Sequence, residues 1–204
     1  SHPIAAVAAE VKALTGGYRL ADLSADMAEW DEEKNHEVAI AGLIMDIYRG
    51  ANKRTQKPLM DFTLDDGSDR HKVSLSGKWL EQFEALIRED EIIFLRGYCR
   101  FNSYFGRWQI QPTEIISIGQ HKYELIKNLT LRIKHSSAID YPLILQRLLV
   151  PAPGAEGCTI HLAIVADDVG LSGRLTLAHS FRINEALLAE LQQLFGGENI
   201  ALTY

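Results

Sequence analysis

The sequence predicts a mostly-β, α+β chain, with two consecutive units behind an N-terminal helical arm. Three observations lead there. Apolar spacing starts at helical period, changes to β-type runs near Val38, and restarts as a second pattern after Gln120. The β-type runs are short and punctuated by Gly-, Asp- and Pro-containing turns. Isolated amphipathic stripes separate some of them, which is the signature of mixed architecture.

Composition sets the outer bounds. Of 204 residues, 47% are hydrophobic and 24% charged, a globular balance that excludes a mostly disordered chain. No apolar run approaches the roughly 20 residues that cross a bilayer, so no membrane partner is expected. The opening Ser1-His2-Pro3-Ile4 has neither Met nor a basic-then-apolar signal pattern, and it reads as a piece of something longer. Cys99 and Cys158 lie far apart in strand-like apolar runs, the pattern of buried, reduced thiols in a cytoplasmic protein. The histidines are scattered without metal-ligand spacing, so neither a metal nor a cofactor is expected.

The net charge of −6 is unevenly placed. Residues 1–35 carry 3 basic and 7 acidic side chains, residues 36–118 carry 11 and 12, and residues 119–204 carry 7 and 8. The acidity is concentrated in the arm, and the mean charge is a poor guide to any local patch.

In the arm, Ile4, Val7, Ala8, Val11 and Leu14 have helical spacing, and Gly16-Gly17 ends the helix. Tyr18 to Asn35 reads as a polar, acidic connector. A first strand is expected over Val38–Tyr48, with Gly42 where it must bend or bulge. Leu59–Leu64 is a second, closed by the turn Asp65-Asp66-Gly67-Ser68, and Arg70–Leu75 a third. Ser76 is placed to cap a short helix with the stripe Trp79, Leu80, Phe83, Leu86 and Ile87. Glu91–Phe101 and Arg107–Ile118 are the fourth and fifth strands, and Pro112 marks an edge or bulge in the last. Three strands, a helix and two strands is the order of a five-stranded OB barrel, here over 36–118.

From Gln120 onward a strand over Leu129–Lys134 precedes a helix capped by Asp140, with Pro142 in its first turn and Pro151 as its stop. After the loop Pro151-Ala152-Pro153-Gly154, strands follow near Thr159–Val165 and Gly173–Leu177. Asn184 caps a helix with Leu187, Leu188, Leu191, Leu194 and Phe195 on one face, and Asn199–Tyr204 closes. This β-α-β-β-α-β order over 119–204 predicts a small ferredoxin-like domain.

OB barrels present strands two and three, with the one-two and four-five loops, to oligonucleotides. Phosphates call for cations, and bases call for flat rings. Arg49–Lys57 supplies Arg49, Lys53, Arg54 and Lys57 without an acid. Arg96–Trp108, also acid-free, supplies Arg96, Tyr98, Arg100, Tyr104, Phe105, Arg107 and Trp108. Tyr104 and Phe105 sit at the loop tip, whereas Phe101 and Trp108 are equally compatible with barrel core. Single-stranded nucleic acid is the expected ligand. Catalysis is not expected: Asp65-Asp66 and Asp167-Asp168 are adjacent pairs that point apart in a strand, and no phosphate-binding G-x-x-x-x-G-K-[ST] occurs.

Several segments, in order, resemble a known family. Val38-Ala39-Ile40-Ala41-Gly42-Leu43-Ile44, Asn52-Lys53-Arg54, Met60-Asp61-Phe62-Thr63-Leu64-Asp65-Asp66-Gly67 and Leu95-Arg96-Gly97 are similar to the C-terminal region of the bacterial replicative DNA polymerase III alpha-subunit family. His2-Pro3-Ile4 matches its "GHPI", and Ser180-Phe181-Arg182-Ile183-Asn184 is similar to its "WRVSPSD". The resemblance implies a segment downstream of the nucleotidyltransferase active site. Its OB domain would lie near single-stranded template, and its last domain would dock the tau subunit of the clamp loader among the other holoenzyme subunits. Two departures stand out. Phe101-Asn102-Ser103-Tyr104-Phe105-Gly106-Arg107 replaces an acidic "FDDFSGG" loop, and Thr55 replaces the usual Gly. The stretch Leu191-Gln192-Gln193-Leu194-Phe195 ends like a clamp-binding pentapeptide but has the spacing of a core helix. An anticodon-type, tRNA-binding OB module and an OB scaffold for proteins alone are the alternatives.

Overall fold

In this computed structural model, residues 2–53, 55–134, 140–152, 157–166 and 170–204 are described. They form two compact units, Ser1–His121 and Lys122–Tyr204, each with its own core.

The first unit opens with a 3-10 turn, Pro3–Val7, and helix α1, Ala8–Thr15, which ends at left-handed Gly16. Helix α2, Leu20–Glu29, then occupies most of the expected connector. Its apolar residues are few, but Leu20 and Leu23 are completely buried in the barrel core, and Met27 and Trp30 pack against that core. The acidic surround masks a helix that tertiary burial holds in place.

The barrel strands are β1 (His36–Ala51), β2 (Pro58–Asp65), β3 (Arg70–Ser76), β4 (Ile92–Asn102) and β5 (Arg107–Ser117), in the sheet order β3-β2-β1-β4-β5. Strand β1 belongs to both halves of the barrel. Residues 36–43 pair with β4 and residues 43–51 with β2, so the partner changes at Leu43. Gly42 sits at this crossing: a Cβ there would lie 3.1 Å from both the Asp65 nitrogen and the Leu64 Cβ. The bulge itself falls later, at Asp46 and Ile47, with Asp46 at φ 54°. A second bulge places Thr113 beyond Pro112, as expected of a ladder that proline interrupts.

Between β3 and β4 lie helix α3, Lys78–Phe83, and a 3-10 turn, Glu84–Leu86, which bring Phe83 and Ile87 into the core. Gly77, at φ 54°, occupies the N-cap position expected for Ser76, and no side chain caps the helix. Helix α4, Ile118–His121, ends the unit.

The second unit comprises β6 (Asn128–Lys134), α5 (Tyr141–Leu148), β7 (Cys158–Ala166), β8 (Leu171–Phe181), α6 (Glu185–Phe195) and β9 (Ile200–Thr203). Asp140 accepts from Leu143 N–H at 3.3 Å and Asn184 from Leu187 N–H at 2.8 Å, the predicted caps. The sheet order β8-β7-β6-β9, with β6 and β7 adjacent and parallel, corrects one expectation. A ferredoxin-like sheet inserts the third strand between the first and second. Here the β6-α5-β7 crossover returns directly beside its own starting strand, and the β7–β8 hairpin is left at the edge. Leu191 is fully buried, and Leu187 nearly so, in the core beneath this sheet, so Leu191–Phe195 serves packing. Asp167-Asp168 and Pro153-Gly154 lie outside the described residues.

Candidate nucleic-acid interface

The site is built on the seam where the barrel does not seal. Strands β3 and β5 approach one another but share no hydrogen-bonded ladder. Between them is a cleft of about 410 Å³. Its wall includes Lys72, Ser74 and Ser76 from β3, Arg107, Gln109 and Gln111 from β5, and the rings of Trp79, Phe101 and Trp108. No carboxylate lines it. Alternation explains the polar side of β3, because Val73 and Leu75 fill the core while residues 72, 74 and 76 face out.

The β4–β5 hairpin overhangs this seam. Asn102 shapes its tip: the side-chain oxygen accepts from the Tyr104 and Phe105 N–H groups at 3.1 and 3.2 Å, and its amide donates to Gln109 at 2.9 Å. Gly106, at φ 60°, completes the turn. Tyr104 is 76% and Phe105 54% exposed, edge to face at 4.9 Å, with the Arg107 guanidinium 5.4 Å from the Phe105 ring centre. Along β4, Arg96, Tyr98 and Arg100 are all exposed on the outer face, opposite buried Leu95 and Cys99. Arg96 lies 3.9 Å from Glu114.

Trp108 is placed differently. It is half-buried, its indole N–H donates to the Met27 carbonyl at 3.0 Å, and its ring meets Phe101, Trp30 and His36 edge-on. Trp30 and His36 stack at 4.3 Å. The indole therefore anchors α2 to the barrel while it lines the cleft, and Phe101 is likewise half-buried within the cluster.

In the β1–β2 hairpin Arg49, Lys53 and Lys57 are exposed and make no ion pair among the described residues; Arg54 lies outside them. Sequence reasoning missed Tyr48 here, which is 59% exposed beside Arg49. Its ring covers Gly50, where a Cβ would come within 2.5 Å of the hydroxyl, so Gly50 is what lets the ring lie along the strand. The tyrosine before Arg49 was the available signal.

Lys72, on the outer face, pairs with Asp61 at 2.7 Å. The turn acids also have structural partners. Asp65, almost fully buried, accepts from Gly67 N–H and Arg70 and faces the His2 ring at 3.1 Å. Burial opposes its ionisation, but the Gly67 hydrogen bond and the Arg70 guanidinium together hold its carboxyl below the usual carboxylate range. Asp66 accepts from Leu20 N–H at 2.9 Å and Ser68 from Ala21 N–H at 3.1 Å, which caps the N-terminus of α2. Among the described residues no group of three or more His, Cys, Asp or Glu side chains is arranged to hold a metal. No helix among them is long and apolar enough to cross a membrane.

The bent five-stranded barrel, with a helix between its third and fourth strands, defines residues 38–118 as an OB-fold domain. They match the family model described as tRNA_anti-codon, an OB-fold nucleic acid binding domain. Over its full length the chain is similar to the C-terminal part of DNA polymerase III subunit alpha. It is 24% identical to the Haemophilus influenzae protein over 205 residues and 21% identical to that of Pasteurella multocida over 206. The chain is covered completely in both alignments and spans 17% of the length of these curated relatives, a non-catalytic region of that DNA polymerase. Among solved structures, a replication protein A heterotrimer bound to ssDNA is 15% identical with a TM-score of 0.34, covering 85% of this chain and 45% of that one. The SSB domain of a Synechococcus protein is 17% identical with a TM-score of 0.32, covering 42% and 97%.

Proposed function

We propose that the OB domain contacts single-stranded template DNA as part of a replicative polymerase alpha subunit, and that residues 122–204 dock the tau subunit of the clamp loader. One observation carries the first part: an acid-free cleft at the open seam of the barrel, overhung by exposed Tyr104, Phe105 and Arg107. Stacking contributes roughly 1–3 kcal/mol per base, and micromolar affinity corresponds to about 8 kcal/mol. Two stacked bases leave a remainder that phosphate contacts from Arg100, Arg107, Lys53 and Lys57 would supply. Titration of labelled oligo-dT tests this. Tyr104→Ala with Phe105→Ala should weaken binding by about ten-fold or more, and unchanged affinity, or no binding at low salt, overturns the reading. The family description also favours a tRNA-binding module. A transfer RNA that displaces oligo-dT at far lower concentration would select that alternative.

Support for tau docking is the exposed apolar surface around α5. Leu143 is 63% and Val150 60% exposed, and Leu143 and Ile144 border a concavity of about 370 Å³. Leu143→Glu with Val150→Glu should abolish capture by purified tau; retained capture excludes this surface.

A further inference from the structure

Among the described residues, the sheet of the second unit has one face packed on helices and one without them. Leu129, Leu131, Ile133, Ile160 and Leu162 point inward and share a core with Leu145, Leu187 and Leu191. The opposite face follows by alternation and register. Arg132 pairs with Ala163, and Ala163 with Arg174, so the two arginines flank a methyl group across three strands. One row over, Thr130, His161 and Thr176 align, with the His161 ring 2.8 Å from the Thr176 hydroxyl. Lys134, Val165 and Ser172 form the row on the other side.

Among the described residues the charge on this face has one sign. None of the four strands contains an Asp or Glu, and every acidic residue of 122–204 lies outside them. Arg132, Lys134 and Arg174 are exposed and make no ion pair among the described residues. A concavity of about 430 Å³ opens beside Arg132, Val165 and Ser172.

We infer that this face binds the sugar–phosphate backbone of double-stranded DNA. Its chemistry is cationic and hydroxylic, the set that contacts phosphate and sugar without reading bases. Its one ring among the described strand residues, the imidazole of His161, is engaged by Thr176 and Asn128. No Phe, Tyr or Trp of the strands lies on this face, so it offers little on which the unstacked bases of a single strand would lie. Two strand spacings separate the arginine Cα atoms by about 10 Å, between the ~6 Å and ~12 Å widths of the minor and major grooves. Each guanidinium can then meet a phosphate on a different strand. This surface is independent of the OB cleft and does not need the single-strand reading to hold.

The test uses the full chain with a labelled blunt duplex of 16 base pairs. Amide resonances of Thr130, Arg132, His161, Ala163 and Arg174 should shift on titration. Arg132→Glu with Arg174→Glu should weaken duplex binding at least ten-fold. If two phosphate contacts are lost, it should also flatten the log–log salt dependence by about 1.8. Tyr104→Ala with Phe105→Ala should leave duplex affinity unchanged while it weakens oligo-dT. Duplex-induced shifts confined to residues 36–118, no duplex binding at low salt, or unaltered binding by the arginine variant would each overturn the inference. Because the wild-type shifts are read directly, an unfolded variant does not obscure the result. Loss of oligo-dT binding alone bears only on the OB domain.

Discussion

Asp65 and Asp66 are adjacent acids with separate tasks. Asp65 closes the β2–β3 turn through Gly67 and Arg70, whereas Asp66 supplies an N-cap to a helix more than forty residues earlier. The depressed carboxyl of Asp65 fixes the sign of its pH effect. A group whose folded pKa lies below its unfolded value, about 3.9, stabilises fully above that value and loses the contribution as pH falls through the folded one. Urea midpoints should therefore fall as pH drops below about 4, and Asp65→Asn should reduce that dependence. Both thiols are inert for a related reason. Burial raises Cys99 to about 12, and burial, against a backbone hydrogen bond at Leu129, raises Cys158 to about 11. Alkylation at neutral pH should proceed only as fast as unfolding. Their burial was legible from the apolar runs around each. Tyr48 was not, because its exposure depends on a glycine two residues on and a bulge just before it.

At the scale of elements, the barrel strands were readable because alternation and turn chemistry agree in β2, β3 and β4. Helix α2 was not. Its buried residues, Leu20 and Leu23, are diluted by Asp22, Ser24, Asp26 and Glu29, and its cap comes from the β2–β3 turn. The short helix after β3 shows the converse: Ser76 looks like a cap, but it completes the strand and Gly77 turns the chain instead. Leu23→Ala should cost about 2–5 kcal/mol, as in other fully buried leucines. Asp66→Ala should cost about 0.5–2 kcal/mol, measured by chemical denaturation. The cleft escaped notice for another reason, because β3, α3 and β5 contribute to it from positions about thirty residues apart. Lys72 and Trp79 carry no local mark of a shared wall.

At the scale of the molecule, the net charge of −6 conceals segregation. Cations line the barrel seam and the open face of the second sheet, while most acids lie in the arm, turns and helices; the barrel strands hold only Glu37, Asp46, Asp61, Asp65 and Glu114. Oligo-dT affinity should accordingly fall with rising salt by about 0.7 log units per log unit for each phosphate held. A nearly flat dependence would remove the basic loops from the interface. The second unit's element order was legible, but its strand order was not, since sequence does not say on which side of β6 the crossover returns.

The family match begins at Val38, yet the barrel's interior is finished by side chains from α2, and that helix is tied down by Asp66, Ser68, His71 and Trp108. The smallest stretch able to fold by itself therefore starts before Leu20. A fragment of residues 36–121 should be digested rapidly by protease and expose apolar surface, whereas residues 1–121, which keep Val7, Val11 and Leu14 over Phe94 as well as α2, should resist. The arm is an integral wall of the barrel, and domain borders drawn from homology alone would cut through it.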